Sequence, residues 1–198
     1  SKYYANHPYG DRVTVRMLLN HTSGVPNPIP SDWFIIDSNS SKDADGNDDP
    51  FDREHALERI LQKHPELSFL PGTRKSYSNI GYWLLEKAIE SASNMSYVDY
   101  IHTNIFEPLK IADASYDLPS TFCLARGHIR KYSMTNAVFR FMSPAEYWIE
   151  PSKDGKWSRF ERLEHLGHGY GGLYASARAF GAILKDLLKQ EPILLKSD

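Results

Sequence analysis

Residues 69–111 read FLPGTRKSYSNIGYWLLEKAIESASNMSYVDYIHTNIFEPLKI, and the spacing of apolar residues in this stretch decides the fold class. Ile80, Trp83, Leu84, Ala88 and Ile89 recur at helical intervals, which predicts a helix with one buried stripe. Ser78 or Asn79 supplies its starting cap, because both side chains can accept from a free backbone N–H of the first turn. Ser96 and Asp99 form a capping-box pattern ahead of Tyr100, Ile101 and Ile105, so a second helix follows at once. Pro71-Gly72 marks a turn before the first of the two.

The same periodicity extends outward. Leu57, Ile60 and Leu61 predict a helix after Asp52, which caps it. Ala179, Phe180, Ile183, Leu184, Leu187 and Leu188 form the strongest stripe in the chain, and Pro192 stops it. A short helix fits Thr14 to Asn20, with Gly24 ending the turn behind it. Strand signals are poor. Residues 122–150 are aromatic and β-branched in places without clean alternation, and read as irregular with room for short strands or helices. Residues 26–50, PNPIPSDWFIIDSNSSKDADGNDDP, are a long exposed loop broken by an apolar island at Trp33 to Ile36. No repeat or long low-complexity tract is present.

Composition narrows the classes. A chain of 198 residues suits one ordinary domain, and 41% hydrophobic with 24% charged residues is globular, which excludes a disordered or collagenous chain. The net charge of -2 provides no basic footprint for nucleic acid. Cys123 is the lone cysteine, so no internal disulfide forms, and a buried inert thiol is the expected state. No apolar run reaches the roughly 20 residues of a membrane span. The chain opens at Ser1 without an initiator Met, as a processed or cut form would.

Three clusters carry possible chemistry. In Tyr77-Ser78-Asn79 a phenol stands at a helix start, where the positive helix end and nearby ammonium groups favour its phenolate. A tyrosine titrates near ~10, so it needs such help to act as a base at neutral pH. The alternative is a turn and helix cap with Tyr77 packed in the core. His21-Thr22-Ser23-Gly24 suggests a Ser/His pair, but residues this close in sequence rarely face one another. Thr22 and Ser23 tying a tight turn, with Gly24 at an unusual backbone angle, is the better reading. Gly167-His168-Gly169-Tyr170-Gly171-Gly172 matches a dinucleotide fingerprint in letters only, since no strand precedes it. Its glycines instead let the backbone pass close to another element. Metals are poorly served. The Ser41–Asp52 stretch imitates a calcium loop with the wrong residues at two positions, and His165 with His168 lacks a third ligand, so neither a metal nor another cofactor is expected.

Three blocks occur in order: VTVRMLLNHTSGVP (13–26), FLPGTRKSYSNIGYWLLEKAIESASNMSYVDYIHTNIFEPLKI (69–111) and GYGGLYASARAFGAILKDLL (169–188). Together they resemble the serine β-lactamase and penicillin-binding-protein-like family, in its class C-like branch of D-aminopeptidases, DD-carboxypeptidases and esterases. The resemblance implies a serine of an S-x-x-K motif that attacks an amide or ester carbonyl and forms an acyl-enzyme. It implies Tyr77 as the acid/base residue of a Y-x-N motif, Asn79 as its substrate and network residue, and Ser78 between them as a substrate-binding residue facing the cleft. Substrates would be a β-lactam, a D-amino-acid peptide or an ester.

The chain departs from that pattern in two ways. It has no S-x-x-K, and no K-T-G or H-x-G follows Leu188. Arg178-Ala179-Phe180 also differs from the family's sequence after the Gly-Gly-Leu block. The expectation is therefore the central portion of a longer hydrolase, inactive as this chain alone. Its fold would be mainly α, the helical region of an α+β fold with few or short strands. It would be one helix-rich domain over residues 1–198 that lacks the flanking α/β sheet. An apolar face left exposed would favour dimerisation or partner binding. A non-catalytic binding module on the same helical scaffold is the alternative, with Tyr77 and Asn79 as packing and capping residues.

Overall fold

In the computed structural model of the chain, residues 10–28, 53–116, 125, 128–134, 137, 149–151, 154–160 and 166–195 are described. They fall into two compact units, one drawn from 1–27, 66–121 and 167–198, the other from 28–65 and 122–166.

In the first unit, helix α1 (Val15–Leu19) starts where the Thr14 hydroxyl accepts from Met17 N–H. Asn20 closes it, and His21 follows in the left-handed region at φ 62°. Helix α3 (Asn79–Ser93) is the longest described element, and its cap is Ser78, with Asn79 as the first helical residue. Its predicted stripe is buried at Ile80, Trp83 and Leu84. It ends at Asn94, whose φ of 54° is the left-handed stop that asparagine tolerates.

Helix α4 (Tyr97–Ile101) begins with the expected cap, Ser96 Oγ accepting from Asp99 N–H at 3.1 Å and donating to Asp99 Oδ2 at 2.7 Å. It is shorter than its apolar spacing predicts, because the chain widens into one π-helical turn, His102–Phe106, that carries Ile105. Ile101, Phe106, Ile111 and Ala179 form the core of this part.

Strands β1 (Ala114–Ser115) and β5 (Tyr174–Ala175) pair antiparallel, Ala114 opposite Ala175. Helix α5 (Ala177–Leu187) follows, capped by Ser176, whose hydroxyl accepts from Ala179 N–H and donates to Asp113. It turns only part of its apolar stripe inward. Ala179 is buried, and Ala182 and Ile183 pack on the core, whereas Phe180, Leu184, Leu187 and Leu188 are exposed. Beyond the helix, buried Asp186 holds the tail by accepting from Ile193 and Leu194 N–H and pairing with Lys189.

In the second unit, helix α2 (Arg53–Lys63) buries Ala56, Leu57, Ile60 and Leu61. Its expected cap, Asp52, lies outside the described residues, as does most of the 26–50 loop. Strands β2 (His128–Arg130), β3 (Ile149–Pro151) and β4 (Trp157–Phe160) form an antiparallel sheet in the order β2-β4-β3. Pro151 sits on an edge strand, where its missing N–H costs least. Among the described residues, then, helices predominate and every strand is short.

Candidate functional site

The Tyr77-Ser78-Asn79 segment is held by the stretch that follows α1. Backbone hydrogen bonds run from Ser68 N–H to Gly24 O at 2.8 Å, from Gly72 N–H to Thr22 O at 2.8 Å, and from Ser76 N–H to His21 O at 2.9 Å. Gly24 makes this pairing possible. Its φ is +81°, and a Cβ there would stand 2.3 Å from Phe69 O. No L side chain fits that approach. Gly72, at φ +83°, turns the chain after Pro71.

The expected tight turn at His21-Thr22-Ser23-Gly24 is present. Thr22 Oγ1 donates to Asn20 Oδ1 at 2.6 Å, and buried Ser23 accepts from Val25 N–H at 3.3 Å. The two hydroxyls are engaged locally, and the imidazole of His21 turns instead toward two tyrosines.

Four further bonds fix the motif. The Ser78 hydroxyl accepts from Gly81 N–H at 3.0 Å and donates to Pro26 O at 3.0 Å. Asn79 N–H donates to Asn27 Oδ1 at 2.8 Å. Ser78 N–H donates to His21 Nδ1 at 3.3 Å.

Ser78, expected as a substrate-binding residue, is 1% exposed, and its hydroxyl serves as a helix cap and as a bridge to Pro26 O. Tyr77 is the opposite case. It is 62% exposed, not packed in the core, and its hydroxyl donates to Asn79 Oδ1 at 2.8 Å. The His21 ring lies between two phenols, 4.6 Å from that of Tyr77 and 5.1 Å from that of Tyr82, while Tyr82 donates its own hydroxyl to Leu19 O. Burial holds the His21 pKa below its ordinary value, and the Lys75 ammonium lowers it further. Its Nδ1 is the acceptor of the Ser78 N–H, which requires that nitrogen to be unprotonated.

The glycine run 167–172 packs on the same helix. A Cβ on Gly167 would lie 2.6 Å from the Trp83 indole, and one on Gly169 would lie 2.6 Å from Tyr82 O. Gly169 N–H donates to Glu86 Oε2 at 2.6 Å. These glycines therefore serve close approach to α3, as the sequence suggested. Glu86 is 4% exposed; burial raises its pKa, offset in part by the backbone N–H of Gly169 and the Lys87 ammonium. Tyr97 and Tyr116 stand close by, and burial raises both phenols as well. Sequence reasoning did not single out His21 as a neighbour of Tyr77, Asn27 as a partner of Asn79, or Glu86. The only signal was the polar character of Glu86 on an otherwise apolar helix face.

His168 packs against Tyr116, and among the described residues no group of three His, Cys, Asp or Glu could hold a metal. His165, Cys123 and the calcium-like stretch lie outside the described residues. No described helix is long and apolar enough to cross a membrane.

Comparison with known proteins agrees with the geometry. The chain is 41% identical over 96 residues to penicillin-binding protein 4* of Bacillus subtilis, a stretch that covers 48% of this chain and 19% of that protein. Its structure is similar to D-amino acid amidase from Ochrobactrum anthropi complexed with D-phenylalanine, with a TM-score of 0.63, 22% identity, and coverage of 94% of this chain and 47% of that one. It is similar also to a penicillin-binding protein from Bacillus halodurans, with a TM-score of 0.61, 23% identity, and coverage of 98% and 51%. The chain thus spans about half the length of these solved relatives, and a smaller share of the curated one. The family model described as Beta-lactamase matches residues 1–198 throughout, and with the ordered blocks and the shared fold it establishes that the chain belongs to the serine β-lactamase and penicillin-binding-protein-like family.

Proposed function

We propose that residues 1–198 form the helical wall of a serine hydrolase that opens amide or ester bonds through an acyl-enzyme, with Tyr77 transferring protons and Asn79 orienting it and touching substrate. One observation supports this above others. The exposed Tyr77 hydroxyl is aimed by a 2.8 Å hydrogen bond to Asn79, on a segment clamped by its backbone and by a buried serine. A proton-transfer group needs both access to the reacting atoms and a fixed direction. In this reading Ser78 holds the pair, and substrate contact belongs to its two neighbours.

The fold is then the mainly α portion of an α+β hydrolase, one helix-rich domain whose sheet comes from sequence beyond these residues. The nucleophile comes from there too, because the 198 residues contain no S-x-x-K. The chain alone forms no acyl-enzyme. Similarity to a D-amino acid amidase favours amides of D-amino acids among the substrates, alongside β-lactams and short esters. The exposed apolar row of α5 is the face left for partner contact or dimerisation.

The test is acylation by a fluorescent penicillin and by an activated ester, read by intact mass. The 198-residue chain should stay unlabelled. A longer form carrying S-x-x-K should be labelled, and Tyr77→Phe should slow that labelling by about 10²- to 10⁴-fold, the usual worth of a proton-transfer residue. A labelled serine within residues 1–198, or a Tyr77→Phe protein acylated at the parent rate, overturns the proposal.

A further inference from the structure

We propose that His21 is the positioning residue for Tyr77, acting as an unprotonated imidazole that fixes both the backbone behind the phenol and the face of its ring. The inference rests on the reading of Tyr77 given above and adds to it a residue to which that reading assigns no part.

Four observations carry it. His21 occupies the left-handed region at φ 62°, a conformation that costs a non-glycine residue free energy and that persists only where the surroundings impose it. The Ser76 N–H to His21 O bond imposes it from one side, and the Ser78 N–H to His21 Nδ1 bond imposes it from the other. Those two bonds bracket Tyr77 by one residue on each side, so a single histidine fixes the backbone immediately before and after the phenol. The imidazole then fills the space beside the Tyr77 ring at 4.6 Å, tilted by 47°. Its opposite neighbour, Tyr82, is fixed in turn by its hydroxyl on Leu19 O.

The charge state matters because Nδ1 accepts. A protonated imidazole carries a hydrogen on both nitrogens and can only donate. Protonation therefore replaces the Ser78 N–H bond by a clash of two N–H groups, and it places a cation beside the Lys75 ammonium. The groups that face His21 are Tyr77 and Tyr82 on either side and Lys75 through its charge. Burial and the Lys75 charge leave the neutral form favoured at pH 7.

The experiment is NMR of the 198-residue chain with ¹³C-labelled tyrosine and histidine, titrated downward from neutral pH. The Tyr77 ring signals should shift with the same midpoint as His21, and that midpoint should lie below the ordinary 6.5. The methyl signal of buried Ala179 in α5, labelled alongside, should stay still through it and thus serve as the folding control. Tyr77 signals that stay flat across the His21 midpoint overturn the proposal.

Two variants give a second decision at neutral pH. His21→Asn keeps an acceptor and tolerates positive φ, so it should retain the parent Tyr77 signals, whereas His21→Ala should lose them. An asparagine variant as perturbed at Tyr77 as the alanine variant also overturns it. None of these readouts uses turnover. A Tyr77 that follows His21 in a protein whose Tyr77→Phe variant acylates normally keeps the positioning and refutes the catalytic reading instead.

Discussion

Replacing Ser78 by alanine removes one oxygen that does two things. The hydroxyl caps α3 by accepting from Gly81 N–H at 3.0 Å, and it ties the preceding loop to the helix by donating to Pro26 O at 3.0 Å. Loss of an N-cap hydroxyl costs about 1 kcal/mol. Stranding the Pro26 carbonyl at a partly buried position costs about 1–2 kcal/mol more. The sum, about 2–3 kcal/mol, is a large part of the roughly 5–15 kcal/mol that holds a domain folded. With a urea slope of about 2 kcal/mol per molar, the unfolding midpoint should fall by about 1–1.5 M. Tryptophan fluorescence reports it, because Trp83 on the same helix is fully buried. Ser78→Gly separates the two roles. Glycine is a tolerable cap, within a few tenths of a kcal/mol of serine, but it offers the carbonyl nothing. Its midpoint should therefore lie between those of the parent and the alanine variant. An alanine variant within about 0.2 M of the parent would refute the whole account. A glycine variant equal to the parent would refute the bridge and leave only the cap.

Gly24→Ala should be worse than any of these, since its Cβ meets Phe69 O at 2.3 Å with φ at +81°; circular dichroism should show a melting temperature lower than that of Ser78→Ala, and an equal or higher one would mean that the loop pairing yields. Glu86→Gln keeps an acceptor for Gly169 N–H and removes a buried charge. Because the folded pKa of Glu86 is raised, its ionisation lowers stability as pH climbs from the ordinary 4.5 through the folded value, so the glutamine variant should gain on the parent across that window. A gap in melting temperature that stays constant from about pH 4 to about pH 7 would contradict this sign. The same comparison cancels His21, present in both proteins, whose lowered pKa acts in the other direction: its contribution is present above 6.5 and is lost as pH falls.

What the sequence revealed depended on whether one local rule governed a segment. The α3 stripe at Ile80, Trp83 and Leu84 follows from period alone, and Ser96 with Asp99 states its own cap. The glycines at 167 and 169 were legible as close-approach sites, although the Trp83 ring and Tyr82 carbonyl they approach were not. The β2-β4-β3 sheet was illegible, because strands of three and four residues leave alternation too little length to register. The partial exposure of the α5 stripe was not legible, for a different reason. Periodicity locates an apolar face, but it does not say whether anything covers that face, and Phe180, Leu184 and Leu188 remain exposed. At the candidate site, Tyr77-Ser78-Asn79 stood out as letters. The inward turn of Ser78 and the approach of His21 did not, since both depend on pairing with residues more than fifty positions away.

That long-range pairing explains why α3 is the organising element. Asn79 and Glu86 lie roughly 10 Å apart along its axis at about 1.5 Å per residue. The segment at residues 21–27 binds its N-terminal end, and the glycine run 167–172 binds its middle. Gly167 and Gly169 bring backbone directly against the helix, and Gly24 brings it against Phe69 O on the stretch that leads into the helix, so neither approach can slacken by a side-chain rotation. Tyr82 belongs to both contacts. Its ring lies against His21, its hydroxyl reaches Leu19 O, and its carbonyl faces Gly169. An exposed tyrosine on a loop would ordinarily sample several directions. Tyr77 stands two residues ahead of a helix pinned in two places, next to its cap, so the freedom left to it is that of its own side chain, and the Asn79 and His21 contacts act on that.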